Sequence, residues 1–361
     1  MKKLKIAQIA PIWYSLPPKK YAGIERIAYY LTEELVKRGH KVTLFASGDS
    51  KTSAKLISLR KRALAKDKIS WSDTFWELAN LSFAFKKADD FDIIHSHVGL
   101  RALFFQNLIK TPVIHTFHNP VYAKSKKLPA SLEILKLYKE ETNACFISKK
   151  AKKICPIKLK HNWVVYNGID LNLFSFCPVP KDYFLWVGRC DPYKGIENVI
   201  KIAKIARIKL YLAGKIDPER KEYFRKKIKP NLSRNIRYLG EVPQKKLVKL
   251  YGGAKALLYP IEWHEPFGLV MAEAQACGTP VITFDLGSTP EVVKNKKTGF
   301  VLPFLDKNKK KNIKGIIDAL QKINQIKRKD CRLWVEENFA KEKMVENYEK
   351  IYYELLKKKK N

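Results

Sequence analysis

Closely spaced cysteine pairs are missing from this 361-residue sequence: its six cysteines, Cys145, Cys155, Cys177, Cys190, Cys277 and Cys331, form no CxxC. A disulfide-stapled scaffold is excluded, because a chain this long needs no staples, and the cysteines read as reduced thiols of a cytosolic protein. No uninterrupted apolar run approaches the roughly 18 residues of a spanning helix, so any membrane contact is expected to be peripheral. The opening "MKKLKIAQIAPIW" has a basic start, but Gln8 and Pro11 interrupt a short apolar run with no small-residue cleavage site after it. It is not read as a signal peptide.

Acidic residues are scarce as well, 35 against 71 basic ones, which leaves a formal net charge of +36. Such a balance attracts nucleic acid, anionic lipid headgroups or phosphorylated small molecules. Much of the excess is lysine on expected helix surfaces, as in "KIAKIARIK" and the terminal "KKKK", which is a solvated basic face. No stripe combines arginine with interleaved aromatics, so nucleic acid is not expected as a partner. The 46% hydrophobic content excludes a disordered chain and, at this length, suffices for about two packed domains.

Short apolar runs alternate with segments of helical period. "KIAQIA", "GIERIAYYLTEELVKRG" and "KVTLFAS" read as strand, helix, strand, and "FDIIHSH", "GLRALFFQNLIK", "PVIHTFH", "PASLEILKLYKEE" and "ACFIS" continue the pattern. From "YNGIDLNLFSFCPVPKD" near residue 166 the alternation stops, which marks a domain boundary. It restarts with "YFLWVGR", "IENVIKIAKIA", "KLYLAG", "PERKEYFRKKI", "IRYLG", "QKKLVKLYGGA", "ALLYP", "LVMAEAQACG" and "PVITF". The expectation is an α/β chain of two doubly wound domains, 1–168 and 169–337, facing each other across a cleft. The amphipathic tail 338–361 has no strand to follow it and is expected to pack on the first domain.

In open parallel sheets ligands bind beyond the carboxyl ends of the strands. After the first strand, Gly23 opens a helix, where it could admit a phosphate or simply make a turn. His95, His97, His115 and His118 follow two strands, but their spacings are not i, i+4 and no carboxylate or cysteine completes a ligand set, so no metal is expected. His118, past its strand and followed by Asn119 and Pro120, is the histidine that either points into a cleft or is a satisfied structural residue. "GRCDPYKGIENVI" supplies Gly188, Arg189 and Lys194 at a helix start, two cations that suit a diphosphate. "DFD", Asp90 to Asp92, precedes a strand at the wrong end of the sheet for a ligand and reads as a loop.

"HEPFGLVMAEAQACGTPVI" then carries two carboxylates, Glu265 and Glu273, in an otherwise apolar helix-to-strand stretch, with Pro266 suited to the first helical turn and Gly268 to close backbone approach. Placed on one helix they stand about 12 Å apart along its axis, too far to share a proton or a metal. They can hold the two ends of an elongated ligand such as a nucleotide sugar, with the helix N-terminus addressing its phosphates.

The Glu, seven residues, Glu motif of "EPFGLVMAE", with "ACGTPVI", "VGRCDPYKG", "VVYNGID" and "AGIER…RGHKVTLFA", resembles the retaining glycosyltransferase family 4 over nearly the whole chain and in collinear order. The resemblance implies a two-Rossmann GT-B fold, a nucleoside-diphosphate-sugar donor carrying UDP or GDP and bound mainly by the C-terminal domain, and an acceptor held by the N-terminal domain. It implies that Glu265 contacts the donor sugar hydroxyls with the backbone of Phe267, Gly268 and Leu269 nearby. Glu273 would bind the ribose, Arg189 and Lys194 would neutralise the diphosphate, and His118 would reach the sugar. Transfer would retain the anomeric configuration by front-face attack, with no protein nucleophile and no metal or other cofactor. The acceptor, a sugar, a small molecule or a lipid-linked compound, is left open, and anionic lipid on the inner membrane face is kept as a peripheral partner. Two rivals stand beside this reading: a GT-B epimerase or hydrolase of nucleotide sugars, and a non-catalytic basic binding protein.

Overall fold

The computed structural model describes residues 2–20, 22–70, 73–122 and 129–358. The chain divides into two compact units, Met1–Gly168 with Lys341–Asn361, and Ile169–Ala340.

Among the described residues the first unit carries β1 (Lys5–Ile9), α1 (Gly23–Lys37), β2 (Lys41–Phe45), β3 (Lys55–Ile57), α2 (Phe75–Phe85), β4 (Ile93–Ser96), α3 (Leu103–Gln106), β5 (Val113–Phe117), α4 (Ala130–Leu137), β6 (Asn143–Phe146), α5 (Lys149–Ile154) and β7 (His161–Val164). The strands form one sheet in the order β3-β2-β1-β4-β5-β6-β7, parallel at every pairing. Every residue of the inner strands β4 and β5 is buried, as expected for a sheet covered on both faces. Those strands nevertheless include His95, Ser96, His115 and Thr116, so the interior of this unit is partly polar.

The second unit carries β8 (Phe184–Val187), α6 (Ile196–Ala206), β9 (Leu210–Ala213), α7 (Lys221–Tyr223), β10 (Ile236–Tyr238), α8 (Gln244–Gly253), β11 (Leu257–Tyr259), α9 (Leu269–Ala276), β12 (Val281–Phe284), α10 (Thr289–Val292), β13 (Gly299–Leu302), α11 (Ile313–Gln321) and α12 (Arg328–Phe339). Its six strands are also parallel and run in the order β10-β9-β8-β11-β12-β13. In each unit the strand order reverses once, between β1 and β4 and between β8 and β11. In doubly wound sheets the loops leaving the carboxyl ends of such neighbours diverge, so each reversal is the expected binding position of its sheet.

The final helix, α13 (Lys341–Lys358), returns to the first unit. It buries Met344, Val345, Tyr348 and Tyr352 completely or nearly so. Arg38 Nη1 donates to Glu349 Oε2 at 2.5 Å, His40 Nε2 lies 2.8 Å from Glu349 Oε1, and Trp163 Nε1 donates to Glu354 Oε2 at 3.1 Å. The last residues of the expected tail, 359–361, lie outside the described residues.

Two expected helices are broken. "GLRALFFQNLIK" forms a 3-10 turn over Gly99–Ala102 and only four α residues after it. "PERKEYFRKKI" passes from a 3-10 turn through α7 into a π segment, Phe224–Ile228, and a further 3-10 turn containing Pro230. Pro230 has no N–H to give and ends the run.

Candidate active site

Beside β8 and β11, where the strand order of the second unit reverses, two of its charged side chains are brought together. β8 ends at Val187, and Asp191 then caps a 3-10 turn, accepting from the Tyr193 amide at 3.1 Å. That turn carries Lys194, whose carbonyl accepts from Trp186 Nε1 at 2.9 Å. Gly195 follows at φ +71, where a Cβ would collide with the Pro260 carbonyl, so the close approach of this turn to the segment after β11 requires glycine. The Lys194 ammonium is thereby delivered to Glu265 at 2.8 Å, both side chains being almost fully buried. Glu265 Oε2 also accepts from Tyr259 OH at 2.7 Å and from Trp263 Nε1 at 2.9 Å. The ammonium lies 4.3 Å from the centroid of the Trp263 ring, a cation–π contact. Lys194 and Glu265, expected to serve the diphosphate and the donor sugar respectively, are therefore directly paired.

The backbone around Glu265 differs from the expectation. Glu265 is extended and bridges Gly287 in parallel, and Ser288 N donates to the Glu265 carbonyl at 2.8 Å. Gly268, at φ +84, is the N-cap, and α9 begins only at Leu269. Pro266 is thus outside the helix, and Glu273 lies one turn inside it rather than two turns beyond Glu265. The physical reason is the left-handed conformation at Gly268, which an α-helix cannot contain. The 12 Å axial separation consequently does not apply. Phe267 turns into the core against Phe339 at 5.4 Å between ring centroids, and its carbonyl accepts from Ser288 Oγ at 2.9 Å. Glu273 is buried and accepts from Tyr251 OH at 2.9 Å.

Arg189 is separate from Lys194. It is 47% exposed and stands 3.6 Å from Asp217, which Lys215 also reaches at 2.9 Å, so its guanidinium is held loosely enough to turn to another anion. The Gly188 amide is already committed, donating to the Ala213 carbonyl at 3.1 Å. Tyr259, Trp263 and Tyr251, which hold the two carboxylates, were not anticipated. Trp263 had a local signal, being two residues before Glu265 in "EWHEP".

In the first unit His118 sits one residue past β5, buried, with Nε2 2.9 Å from His97 Nδ1. Burial pushes its pKa down to about 3, and that of His115 likewise. His95 and His97 are held well below the usual imidazole range, by burial first and neighbouring histidines second. All four rings are neutral near pH 7. Gly23 is the first residue of α1, and a buried acid follows it: the Glu25 carboxyl is pushed up to about 7, chiefly by burial, with the Glu77 charge adding to it and backbone N–H groups and Arg26 opposing. Glu77 accepts from Trp13 Nε1 at 2.8 Å and pairs with Arg101 at 2.8 Å. Glu25 and Glu77 were not foreseen. Asp92, in the "DFD" stretch, receives the Lys5 amide at 2.7 Å at the amino end of the sheet. Among the described residues no group of three His, Cys, Asp or Glu side chains could hold a metal ion, and no helix is long and apolar enough to cross a membrane.

Two doubly wound parallel-sheet units, each with one strand-order reversal, define an α/β protein of the GT-B type. Comparison with known proteins assigns the family. Residues 176–331 match the model described as glycosyl transferases group 1 and residues 21–173 the model described as glycosyltransferase family 4, and the chain belongs to this family of glycosyltransferases. It is 30% identical, over 82% of this chain and 89% of the relative, to an uncharacterized 41.2 kDa protein in the cps region of Klebsiella pneumoniae. Its fold is similar to sucrose-phosphate synthase from Thermosynechococcus elongatus, with a TM-score of 0.78 at 22% identity, covering 98% of this chain and 99% of that one. It is similar also to the Anabaena protein HepE, solved in complex with UDP and glucose, with a TM-score of 0.73 at 16% identity, covering 97% of this chain and 100% of that one.

Proposed function

We propose that this glycosyltransferase moves a hexose, with retention, from a UDP- or GDP-sugar to an acceptor hydroxyl without a metal. The observation that carries the reading is the buried Lys194–Glu265 pair at the β8/β11 reversal, ringed by Tyr259 and Trp263. A carboxylate so held is a rigid acceptor for sugar hydroxyls, and its partner ammonium lies ready for the negative charge that develops on a departing diphosphate. Arg189, loosely tied to Asp217, is assigned the diphosphate, with the Gly268 and Leu269 backbone at the α9 N-terminus. Glu273 is assigned the ribose hydroxyls and His118 the transferred sugar. HepE, solved with UDP and glucose, supports a uridine nucleotide among the donors.

The acceptor is assigned to the first unit, and an anionic membrane, on the cytoplasmic side, is the surface on which we place the enzyme. Support comes from the segment after β3, where Leu59, Lys61, Arg62, Lys66, Lys68, Phe75 and Trp76 are exposed and the Arg60 guanidinium covers the Trp76 ring at 4.8 Å. A run of basic residues followed by two exposed aromatics suits an acidic headgroup layer.

The test is a screen of nucleotide sugars by thermal shift, followed by transfer assays with and without chelator on the wild type and Arg189→Ala. Arg189 is half-exposed, so its removal should leave the Tm within a few degrees while transfer falls by about 100-fold or more. Full transfer by Arg189→Ala would reject the site, and donor hydrolysis or epimerisation at a catalytic rate without acceptor would reject transfer as the activity. Binding to anionic vesicles at low salt, weakened in Phe75→Asp, is expected; indifference to lipid charge would remove the membrane assignment.

A further inference from the structure

A continuous hydrogen-bonded chain runs through the interior of the first unit and ends on His118. His118 Nε2 is 2.9 Å from His97 Nδ1, and His97 Nε2 is 2.9 Å from Gln8 Oε1. Gln8 Nε2 donates to Tyr352 OH at 3.2 Å, and Tyr352 OH is 2.7 Å from His95 Nδ1. His95 Nε2 is 2.7 Å from Thr116 Oγ1, which is 2.9 Å from Tyr348 OH. Every member is buried, and the three rings stack, with centroids 4.2 Å apart for His95 and His97 and 5.2 Å for His97 and His118.

Each link gives one hydrogen and takes one, because a neutral imidazole has one N–H and one lone pair, a hydroxyl has one hydrogen, and the amide has a donor end and an acceptor end. Through the amide and the imidazoles the sense of the Gln8–His97 bond therefore sets that of the His97–His118 bond, and each hydroxyl, with two lone pairs, gives its one hydrogen to the neighbour left without one. With the Gln8 oxygen toward His97, His97 is protonated on Nε2 and accepts at Nδ1. His118 must then donate from Nε2, which leaves its Nδ1 as a lone pair. On the other side Tyr352 accepts from Gln8 and so donates to His95, whose Nε2–H continues to Thr116 and on to Tyr348. Turning the Gln8 amide over would reverse the whole chain and move the His118 proton to Nδ1.

We propose that Gln8 and Tyr352 are positioning residues that hold His118 as the Nε2–H tautomer, so that its Nδ1 accepts a hydrogen bond from a hydroxyl of the transferred sugar. This rests on the assignment of His118 to that sugar. It gives the C-terminal helix a part in recognition, since Tyr352 lies 344 residues from the Gln8 it orients. A donor sugar lacking that hydroxyl would lose the bond, whereas a His118 with the opposite tautomer would present an N–H and favour an acceptor group instead.

Long-range proton–nitrogen NMR on histidine-labelled full-length protein reads the tautomer directly, with the His118 signals identified by their loss in His118→Ala. The wild type should show protonated Nε2 and unprotonated Nδ1. Tyr352→Phe and Gln8→Met should give mixed or inverted His118 tautomers and lower kcat by about tenfold, the scale typical for losing a partner that orients a functional side chain. A purely structural role would lower only the Tm and leave the tautomer unchanged. Nδ1–H in the wild type, or an unchanged tautomer and kcat in both Tyr352→Phe and Gln8→Met, overturns the proposal. Full transfer by His118→Ala overturns the assignment of His118 and the proposal with it. An inactive His118→Ala beside an unaffected Tyr352→Phe overturns the positioning alone.

Discussion

The two units bury polar groups at their strand-order reversals in opposite ways. The first packs an uncharged chain of His95, His97, His118, Gln8, Thr116 and two tyrosines. The second packs one ion pair, Lys194 with Glu265, tied by two further donors. A neutral network costs little desolvation provided every donor is met, and it can extend across a whole sheet interior. An ion pair pays heavily for leaving water and is tolerated only where its geometry is close to ideal, but it supplies fixed charge where a ligand carries charge. The contrast separates what each unit can recognise: hydroxyl patterns in the first, phosphate and sugar together in the second.

The largest expected effect is on the neutral chain, through acid. In the unfolded state each histidine takes a proton near its ordinary pKa of 6.5, whereas His115 and His118 resist to about 3 and His95 and His97 also lie well below 6.5. Between those limits the unfolded chain binds more protons, so stability falls as pH drops. Four such groups give a slope of roughly 5 kcal/mol per pH unit at its steepest. Urea unfolding followed from pH 7 to pH 5 measures it, and a slope worth less than one proton would contradict four neutral histidines.

Next in size is breaking the ion pair. Glu265→Ala leaves a buried ammonium without its carboxylate and should cost about 3–5 kcal/mol in addition to abolishing transfer. The double variant Lys194→Met with Glu265→Leu should regain most of that stability and no activity. If the double variant were as unstable as the single one, the site would owe its cost to lost packing rather than stranded charge, and the contrast with the first unit would weaken.

What could be read from the sequence follows the same division between local and distant causes. The inner strands, such as "YFLWV" and "PVITF", are legible because continuous apolar runs of that length have few other uses. β3, β7 and β13 are not, because each is a short edge strand with half-exposed residues. Lys194 and Glu265 each stood out beside a helix start, yet their pairing depends on β8 lying next to β11 and joins residues 71 apart. The helix boundary at Gly268 is hidden in the sequence because a proline two residues earlier imitates a first turn, and the left-handed backbone that overrides it carries no signature beyond the glycine itself. Gln8 and Tyr352 lie at opposite ends of the chain, and no spacing rule links them.

The smallest of these effects sharpens the comparison, because the first unit also buries acids, among them Glu25, which behaves unlike the neutral histidines. Glu25 holds its proton up to about pH 7, against 4.5 in the unfolded chain, and it is almost completely buried. Its folded pKa is raised, so between pH 4.5 and 7 the native state binds the extra proton and stability declines as pH rises through that window. The full difference, reached above pH 7, is about 3 kcal/mol. The decline is opposite in sign to the loss caused by the histidines in acid, but four histidines outweigh one carboxyl, so Glu25 flattens the rise of stability toward neutrality without reversing it. Glu25→Gln keeps the shape and removes the charge, so it should be more stable than the wild type at pH 8 and nearly equal to it at pH 4.5. Denaturant midpoints at those two pH values decide the matter: a variant no more stable at pH 8 would mean that the Glu25 carboxylate is ionised without penalty, and that the first unit holds buried charge as readily as the second.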